Sequence, residues 1–480
     1  MTRKEELVQY VLAKLAEGPK IAKDKTHAGG KPLNYRRVYY RLEKRLKEFM
    51  DGEKEGRLIL LPGLRGVGKT TIVLQLYNHL MSKGVSADEI LYFSADESIE
   101  YLGAGVSEVV KTFVEEIHRK SLVNLDKNLF VFIDEAHFDK KWATASKIVY
   151  DKTDKLFLLV TGSSALSMEL SVDLARRASR ESVFPLNFSE YMVLKHNFFP
   201  PGGTAESLRQ LMFKPSNLAK DLEKAVALRK SLIKKGISPE KEWEDFLFFG
   251  GFPFALRMGQ IEGHERLFSM IEKVVEKDVF SLQSFSTETR NVITRILAFL
   301  ALQRPGGTSD SKLSESLGKS PTLVRSILDI LEKTHLVFSV KPHGGAVKKI
   351  RKPWKYYFLS PSINAAMRFK LGSYDRHNRD LIGILAETLV ASTLFRIMET
   401  SNAVIGISYD PEPGGVDFLV HTTAGELIPI EVGVGKKDDH QIISAMKRYG
   451  SKRGILISES DLIEIKNGIT RIPITLFSFV

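Results

Sequence analysis

The chain has 480 residues, 43% hydrophobic and 27% charged, with no cysteine and a formal net charge of +12. That length exceeds what one hydrophobic core supports, so about three or four domains are expected. The lack of cysteine excludes disulfides, thiolate metal sites and cysteine nucleophiles together.

Abundant Lys, Arg and Glu beside zero cysteine also fits a thermophile. The basic balance, with a pI near 9.4, is compatible with nucleic-acid binding. It is equally compatible with a solvated basic surface until the charge is localised. No apolar run approaches the ~20 residues of a membrane span, and the N-terminus lacks the apolar core of a signal peptide. A cytoplasmic protein with no membrane partner is the default expectation.

In chain order, residues 2–17 and 34–49 read as amphipathic helices, the second rich in Arg and Lys, with a loop at His27–Pro32 between them. From about 57 to 187, apolar runs alternate with helical patterns. The runs are Leu58–Leu61, Ile90–Phe93, Leu129–Ile133, Leu156–Val160 and Ser182–Leu186. Such alternation indicates a parallel sheet with helices on both faces.

Between the first run and its helix stands Gly63-Leu64-Arg65-Gly66-Val67-Gly68-Lys69-Thr70, followed by Thr71. The glycines let successive backbone N–H groups curl around phosphates at a helix N-terminus, where the dipole also favours negative charge. Lys69 can reach the β- and γ-phosphates, and the Thr70 hydroxyl can hold Mg²⁺. ATP and Mg²⁺ are therefore the expected cofactors, with Gly63, Arg65, Gly66, Val67, Gly68, Lys69, Thr70 and Thr71 around the nucleotide.

The third run ends in Asp134-Glu135. Asp134 suits Mg²⁺ coordination through water, and Glu135 suits polarisation of the attacking water as a general base. The fourth run ends in Thr161-Gly162-Ser163-Ser164, from which Ser163 or Ser164 can sense the γ-phosphate; Ser and Thr are also ordinary helix N-caps. Arg176, Arg177 and Arg180 follow. One of them is expected to reach the γ-phosphate, in cis or from a neighbouring subunit, although a solvated basic face gives the same pattern.

"LRGVGKTT", "FIDEAH" with Trp142, "LLVTGSSALS", "LARRASRESVFPLNFSEYM" and "GGFPFAL" together resemble a prokaryotic, largely archaeal, family of AAA+ ATPases. These are similar to signal-transduction ATPases and carry a C-terminal restriction-endonuclease-like domain. The resemblance runs from about residue 35 to the end. It matches Arg177 to an arginine that in the family follows a glycine, a place held here by Arg176.

After Phe198–Gly203 the pattern is helical through 283, broken at Gly250-Gly251-Phe252-Pro253. Helices at Glu288–Leu302, Ser309–Leu317 and Pro321–Lys333, then strands at His335–Val340 and Lys355–Leu359, describe a winged helix-turn-helix. Ser320 and Pro321 suit the start of its recognition helix, which offers Thr322 and Arg325. The wing gathers Lys348, Lys349, Arg351, Lys352 and Lys355 around Trp354, Tyr356 and Tyr357, a pattern suited to a phosphate backbone with stacking. Winged helices also serve as protein-docking modules, so a protein partner stays open, as does a homo-oligomer.

In the last stretch, Glu387 lies in a helix at Leu381–Leu394, Asp417 begins an apolar strand, and Glu431 lies in the next. This resembles the metal site of PD-(D/E)XK nucleases, in which residues i and i+2 of a strand share a face. The lysine of that pattern is replaced by Gly433; Lys436 or Lys437 can swing in from the following loop, but the direct strand-face geometry is lost. Asp417 and Glu431 then read as a vestigial metal site, and a degenerate DNA-binding or structural domain ranks ahead of an active nuclease.

The expected class is α/β, with five parts: an N-terminal helical segment (1–55), a P-loop AAA+-like parallel-sheet core (56–200), a helical lid (201–283), a winged helix (284–362) and a nuclease-like domain (363–480). The expected activity is ATP hydrolysis acting on DNA or a DNA-bound complex. The alternatives are a nucleotide-dependent switch for protein assembly and an ATP-regulated Mg²⁺-dependent nuclease.

Overall fold

The computed structural model describes residues 2–163, 172–214, 218–283, 286–304, 307–347, 352–401, 403–435 and 437–480. The chain divides into two compact units, Met1–Phe184 and Pro185–Val480.

The first unit is built on a five-stranded sheet. Its order is Ile90–Ser94, Leu129–Asp134, Leu156–Gly162, Leu58–Pro62 and Ser179–Arg180, with every neighbouring pair parallel. The apolar runs explain the arrangement, because a parallel sheet covered on both faces needs unbroken hydrophobic strands. Every residue of Leu58–Pro62, Leu129–Asp134 and Leu156–Gly162 is buried. The register sets Leu61 beside Thr161 and Ser94 beside Asp134, so the strand C-termini lie level along one edge.

Two elements differ from the sequence expectation. The edge strand begins earlier, at Ser179–Arg180, and follows strand Leu58–Pro62 as far as Val183, whose N–H donates to the Pro62 carbonyl at 2.8 Å. Pro185 then offers no N–H to continue the ladder. The first helix runs Arg3–Thr26, through Pro19, rather than ending at 17. Its Leu7, Val11 and Leu15 share a core with Leu58, Leu60, Leu91 and Phe93. Beyond the proline Ala22 and Thr26 are buried as well, so packing sustains a helix that local propensity alone would end there.

The second unit opens with helix Phe188–His196, capped by a reciprocal Asn187–Glu190 capping box. The Gly250-Gly251 pair belongs to the packing of this region. The Gly251 carbonyl accepts from Leu186 N–H, and a Cβ at Gly251 would lie 2.2 Å from the Ser360 hydroxyl oxygen. Helices Thr287–Leu302, Asp310–Leu317 and Pro321–Lys333 are followed by strands Val337–Pro342 and Trp354–Phe358.

These two strands do not stand apart. Val337–Pro342 pairs in parallel with Val404–Tyr409, through Ser408 beside Lys341 and Tyr409 beside Pro342. One nine-stranded sheet results, from Gly307–Thr308 at one edge to Glu464–Lys466 at the other. Helix Arg379–Thr400 crosses this unit and is long and apolar enough to span a membrane by length and composition, yet 72% of its apolar window is buried inside the fold. Its apolar residues serve packing.

Candidate functional site

The P-loop closes the gap between strand Leu58–Pro62 and helix Lys69–Ser82. Gly66 and Gly68 adopt φ values of 81° and 95°, left-handed conformations that glycine takes without penalty. Val67 is buried, while Arg65 and Thr71 are half-buried. The Lys69 ammonium is turned back into the loop, donating to the Gly63 carbonyl at 2.9 Å and the Leu64 carbonyl at 3.3 Å. The preceding segment braces the loop. Buried Arg36 donates to the Val67 carbonyl at 2.6 Å and the Phe184 carbonyl at 3.0 Å, and Gln75 donates to Leu33 O at 3.3 Å.

The level strand ends bring residues distant in sequence together. Asp134 Oδ2 accepts from the Thr70 hydroxyl at 2.7 Å and the Tyr92 hydroxyl at 3.1 Å, while Oδ1 accepts from the Thr161 hydroxyl. Burial first, and then the Asp134 charge, push the Tyr92 phenol upward, so it stays a donor. Thr161 Oγ1 also accepts from the Glu135 N–H at 3.2 Å. Glu135 itself sits at φ 50°, ψ 39°, a left-handed conformation rare for a side chain larger than glycine. Its Oε2 lies 3.5 Å from Nδ1 of buried His137, which accepts from the Ser163 N–H at 3.3 Å. Thr70, Asp134 and Glu135 present hard oxygen donors of the type Mg²⁺ takes, so these residues fit that ion.

The other expected residues fall as follows. Ser163 is buried, and Ser164 lies outside the described residues. Arg177 pairs with Asp151 of helix Trp142–Lys152 at 2.6 Å, and Arg176 and Arg180 are exposed. Tyr92, Thr161, His137 and Arg36 were not singled out from sequence. Thr161 stood in the Thr-Gly-Ser-Ser turn, ahead of the two serines chosen there, and His137 closes the FIDEAH motif without a role having been read for it; Tyr92 and Arg36 carry no motif.

A second charged cluster lies in the C-terminal sheet. Glu431 is buried, and its Oε1 takes the Lys437 ammonium; Lys437 also donates to Val432 O at 3.2 Å. A Cβ at Gly433 would lie 2.5 Å from Lys437 Cδ, so the lysine stem occupies the space above the glycine. Asp417 and Glu431 are cross-braced: Asp417 N–H donates to Glu431 Oε2 at 3.2 Å, and Val432 N–H to Asp417 Oδ2 at 2.9 Å. Partial burial and the Asp417 charge raise Glu387 to about 8, and burial with the same charge raises Glu431 to about 7. Strand Trp354–Phe358 reaches this cluster, with the Tyr357 hydroxyl 2.6 Å and the Lys355 ammonium 3.7 Å from Glu387 Oε1. Among the described residues, no three His, Cys, Asp or Glu side chains are gathered to hold a metal. The Lys437 ammonium sits on one Glu431 oxygen and the Asp417 N–H on the other, and Asp417 Oδ2 takes the Val432 N–H; with a cation of the chain already on Glu431, that carboxylate as arranged does not fit a resident metal.

Comparison with known proteins gives a family. The chain is 31% identical over 433 residues to the uncharacterized protein MJ1637 of Methanocaldococcus jannaschii, covering 90% of this chain and 86% of that one. The chain belongs to the MJ1637 family. Within it, residues 55–192 match the model of an AAA domain, and residues 240–374 match a domain of unknown function, DUF8612. An uncharacterized Haemophilus influenzae protein is 22% identical over 310 residues, 62% of this chain and 66% of that one. Among solved structures, the Walker-type ATPase PABY2304 of Pyrococcus abyssi aligns at 14% identity over 72% of this chain and 97% of its own, with a TM-score of 0.41. The ADP form of ORC2 from Aeropyrum pernix aligns at 13% identity over 73% and 99%, with a TM-score of 0.32. The AAA match and the P-loop geometry make the first unit of this MJ1637-family chain an AAA-type P-loop domain.

The residues expected to touch DNA divide into two sets. Lys348, Lys349 and Arg351 lie outside the described residues, and Lys352 is exposed. Arg325 is engaged within the family member itself. It pairs with Asp329 at 2.6 Å, donates to the Tyr356 hydroxyl at 3.1 Å and lies 4.0 Å from the Trp354 ring centroid.

Proposed function

We propose that the chain hydrolyses ATP and uses the cycle to act on DNA or on a DNA-bound complex. The observation that carries the first half is the 2.7 Å hydrogen bond from Thr70 to Asp134, which joins the end of the P-loop to the carboxylate strand. Mg²⁺, when bound with the nucleotide, would be held by Thr70 and Asp134 and would neutralise phosphate charge. Lys69 leaves its loop carbonyls for the β- and γ-phosphates, and the backbone N–H groups around Gly66 and Gly68 cradle them. Glu135 takes the proton of the attacking water, aimed by its left-handed backbone. Ser163, Ser164 and Arg177 are proposed as γ-phosphate sensors, Arg177 by exchanging Asp151 for phosphate.

The second half rests on charge. Helices Thr287–Leu302, Asp310–Leu317 and Pro321–Lys333 with the following hairpin support a winged-helix reading, and the basic segment 348–352 supports contact with a phosphate backbone. The closed Asp417–Glu431–Lys437 cluster favours a C-terminal domain that binds rather than cleaves.

Steady-state ATP hydrolysis with and without duplex or single-stranded DNA tests the reading. Glu135→Gln is expected to keep nucleotide binding and lose turnover by about 10²–10⁴-fold, the usual contribution of a general base. Lys69→Ala is expected to lose both. DNA that neither binds nor changes the rate removes the second half while leaving the first.

A further inference from the structure

The Asp134 carboxylate is gripped from both sides by hydroxyls of neighbouring strands. Strand Ile90–Ser94 supplies Tyr92, whose hydroxyl lies 3.1 Å from Oδ2, and strand Leu156–Gly162 supplies Thr161, whose hydroxyl donates to Oδ1. Both strands are locked to the carboxylate strand by parallel ladders, with Ser94 beside Asp134 and Val160 beside Ile133. Asp134 is thus held by hydrogen bonds that do not depend on Thr70.

Thr161 does a second thing. Its one proton goes to Asp134, and its oxygen receives the Glu135 N–H at 3.2 Å. That bond secures a backbone at φ 50°, a conformation that is unfavourable in residues with a Cβ and persists only where surroundings impose it. A single side chain therefore fixes the carboxylate of one residue and the backbone of the next. Tyr92 touches only the first.

We infer that Thr161 and Tyr92 are positioning residues for the nucleotide reaction. Thr161 ties the metal-facing carboxylate to the proposed general base, and Tyr92 orients the carboxylate alone. This rests on the ATPase reading and adds two residues to it. The two contributions separate in measurement. Tyr92→Phe shifts the Mg²⁺ concentration for half-maximal rate upward and lowers kcat at saturating Mg²⁺ by less than Thr161→Val does. Thr161→Val shifts Mg²⁺ dependence and also lowers kcat by about 10- to 100-fold, the effect of losing a hydrogen bond to a charged group at the reacting centre. Thr161→Ser keeps the hydroxyl and restores both.

The test combines kcat and KM titrations in Mg²⁺ and ATP with binding of a fluorescent ATP analogue in EDTA and in Mg²⁺. Thr161→Val is expected to bind the analogue like the wild type in EDTA and to lose most of the Mg²⁺-dependent gain in affinity. Equal kcat in Thr161→Val and the wild type overturns the assignment, as does a serine variant no better than valine. A loss of analogue binding in EDTA also overturns it, since that marks general damage to the loop. A wild type that neither binds the analogue nor hydrolyses ATP overturns the ATPase reading, and this inference with it.

Discussion

A methyl group at position 63 would lie 2.4 Å from the Val183 carbonyl oxygen, so Gly63 is required by space, whereas Gly66 and Gly68 are required by φ. Gly63→Ala forces the edge segment away from strand Leu58–Pro62, and a rigid backbone atom cannot yield cheaply. The expected loss is about 1–3 kcal/mol, the usual range for overpacking, read as a lower urea midpoint. Gly433 presents the opposite case. The atom nearest its added Cβ is Lys437 Cδ at 2.5 Å, part of a flexible side chain, so Gly433→Ala is expected to change stability by under about 1 kcal/mol. Lys437→Met is more damaging, because it strands buried Glu431. Glu431 is already raised to about 7 by burial and by Asp417, with Lys437 opposing. The variant's deficit is therefore expected to be larger at pH 8.5, where Glu431 must ionise unpaired, than at pH 6. Chemical unfolding at the two pH values checks this.

Helix Arg379–Thr400 carries the clearest pH signature at the level of elements. Partial burial and the Asp417 charge raise Glu387 to about 8. Between its unfolded value near 4.5 and about 8, the folded chain holds a proton that the unfolded chain has released. Stability therefore falls as pH rises through that window, and Glu387→Gln is expected to flatten the fall; unfolding midpoints from pH 5 to 8.5 decide it. The same helix shows what sequence periodicity conveys. The P-loop was readable because strand, turn and helix are contiguous, and Asp134-Glu135 because an apolar strand precedes it directly. The helix positions Asp310–Leu317 and Pro321–Lys333 were readable from caps and spacing. The fusion of the hairpin to the C-terminal strands was not, since it depends on Ser408 meeting Lys341, a pairing no local pattern encodes. Arg36 reaching the Val67 carbonyl was hidden for the same reason, whereas Lys437 reaching over Gly433 was one of the two substitutes that the loop after Gly433 offered. Both contacts are set by side chains that travel further than a motif's spacing.

At the scale of the molecule, a net charge of +12 predicts little until it is divided between charges already paired and charges available to a polyanion. Arg325 belongs to the first group, between Asp329, Tyr356 and Trp354. Lys352 is exposed, and Lys348, Lys349 and Arg351 precede it in the same basic segment. If that segment tracks a phosphate backbone, each neutralised phosphate contributes a slope of about −0.9 in log K against log salt for duplex DNA. Replacing all four basic residues by glutamine is then expected to weaken binding at 50 mM salt and to flatten the slope by about 3–4. Arg325→Ala is expected to leave the slope within about one unit and instead lower the unfolding midpoint, since it removes a stacked and hydrogen-bonded guanidinium. Fluorescence anisotropy of a labelled duplex across a salt series, with thermal unfolding of the same variants, separates the two. A slope carried by Arg325 and indifferent to residues 348–352 would move the proposed nucleic-acid contact from the basic segment to helix Pro321–Lys333. A wild type with no salt-dependent binding would leave the hairpin as part of the sheet's architecture and shift the output of ATP turnover to a protein partner.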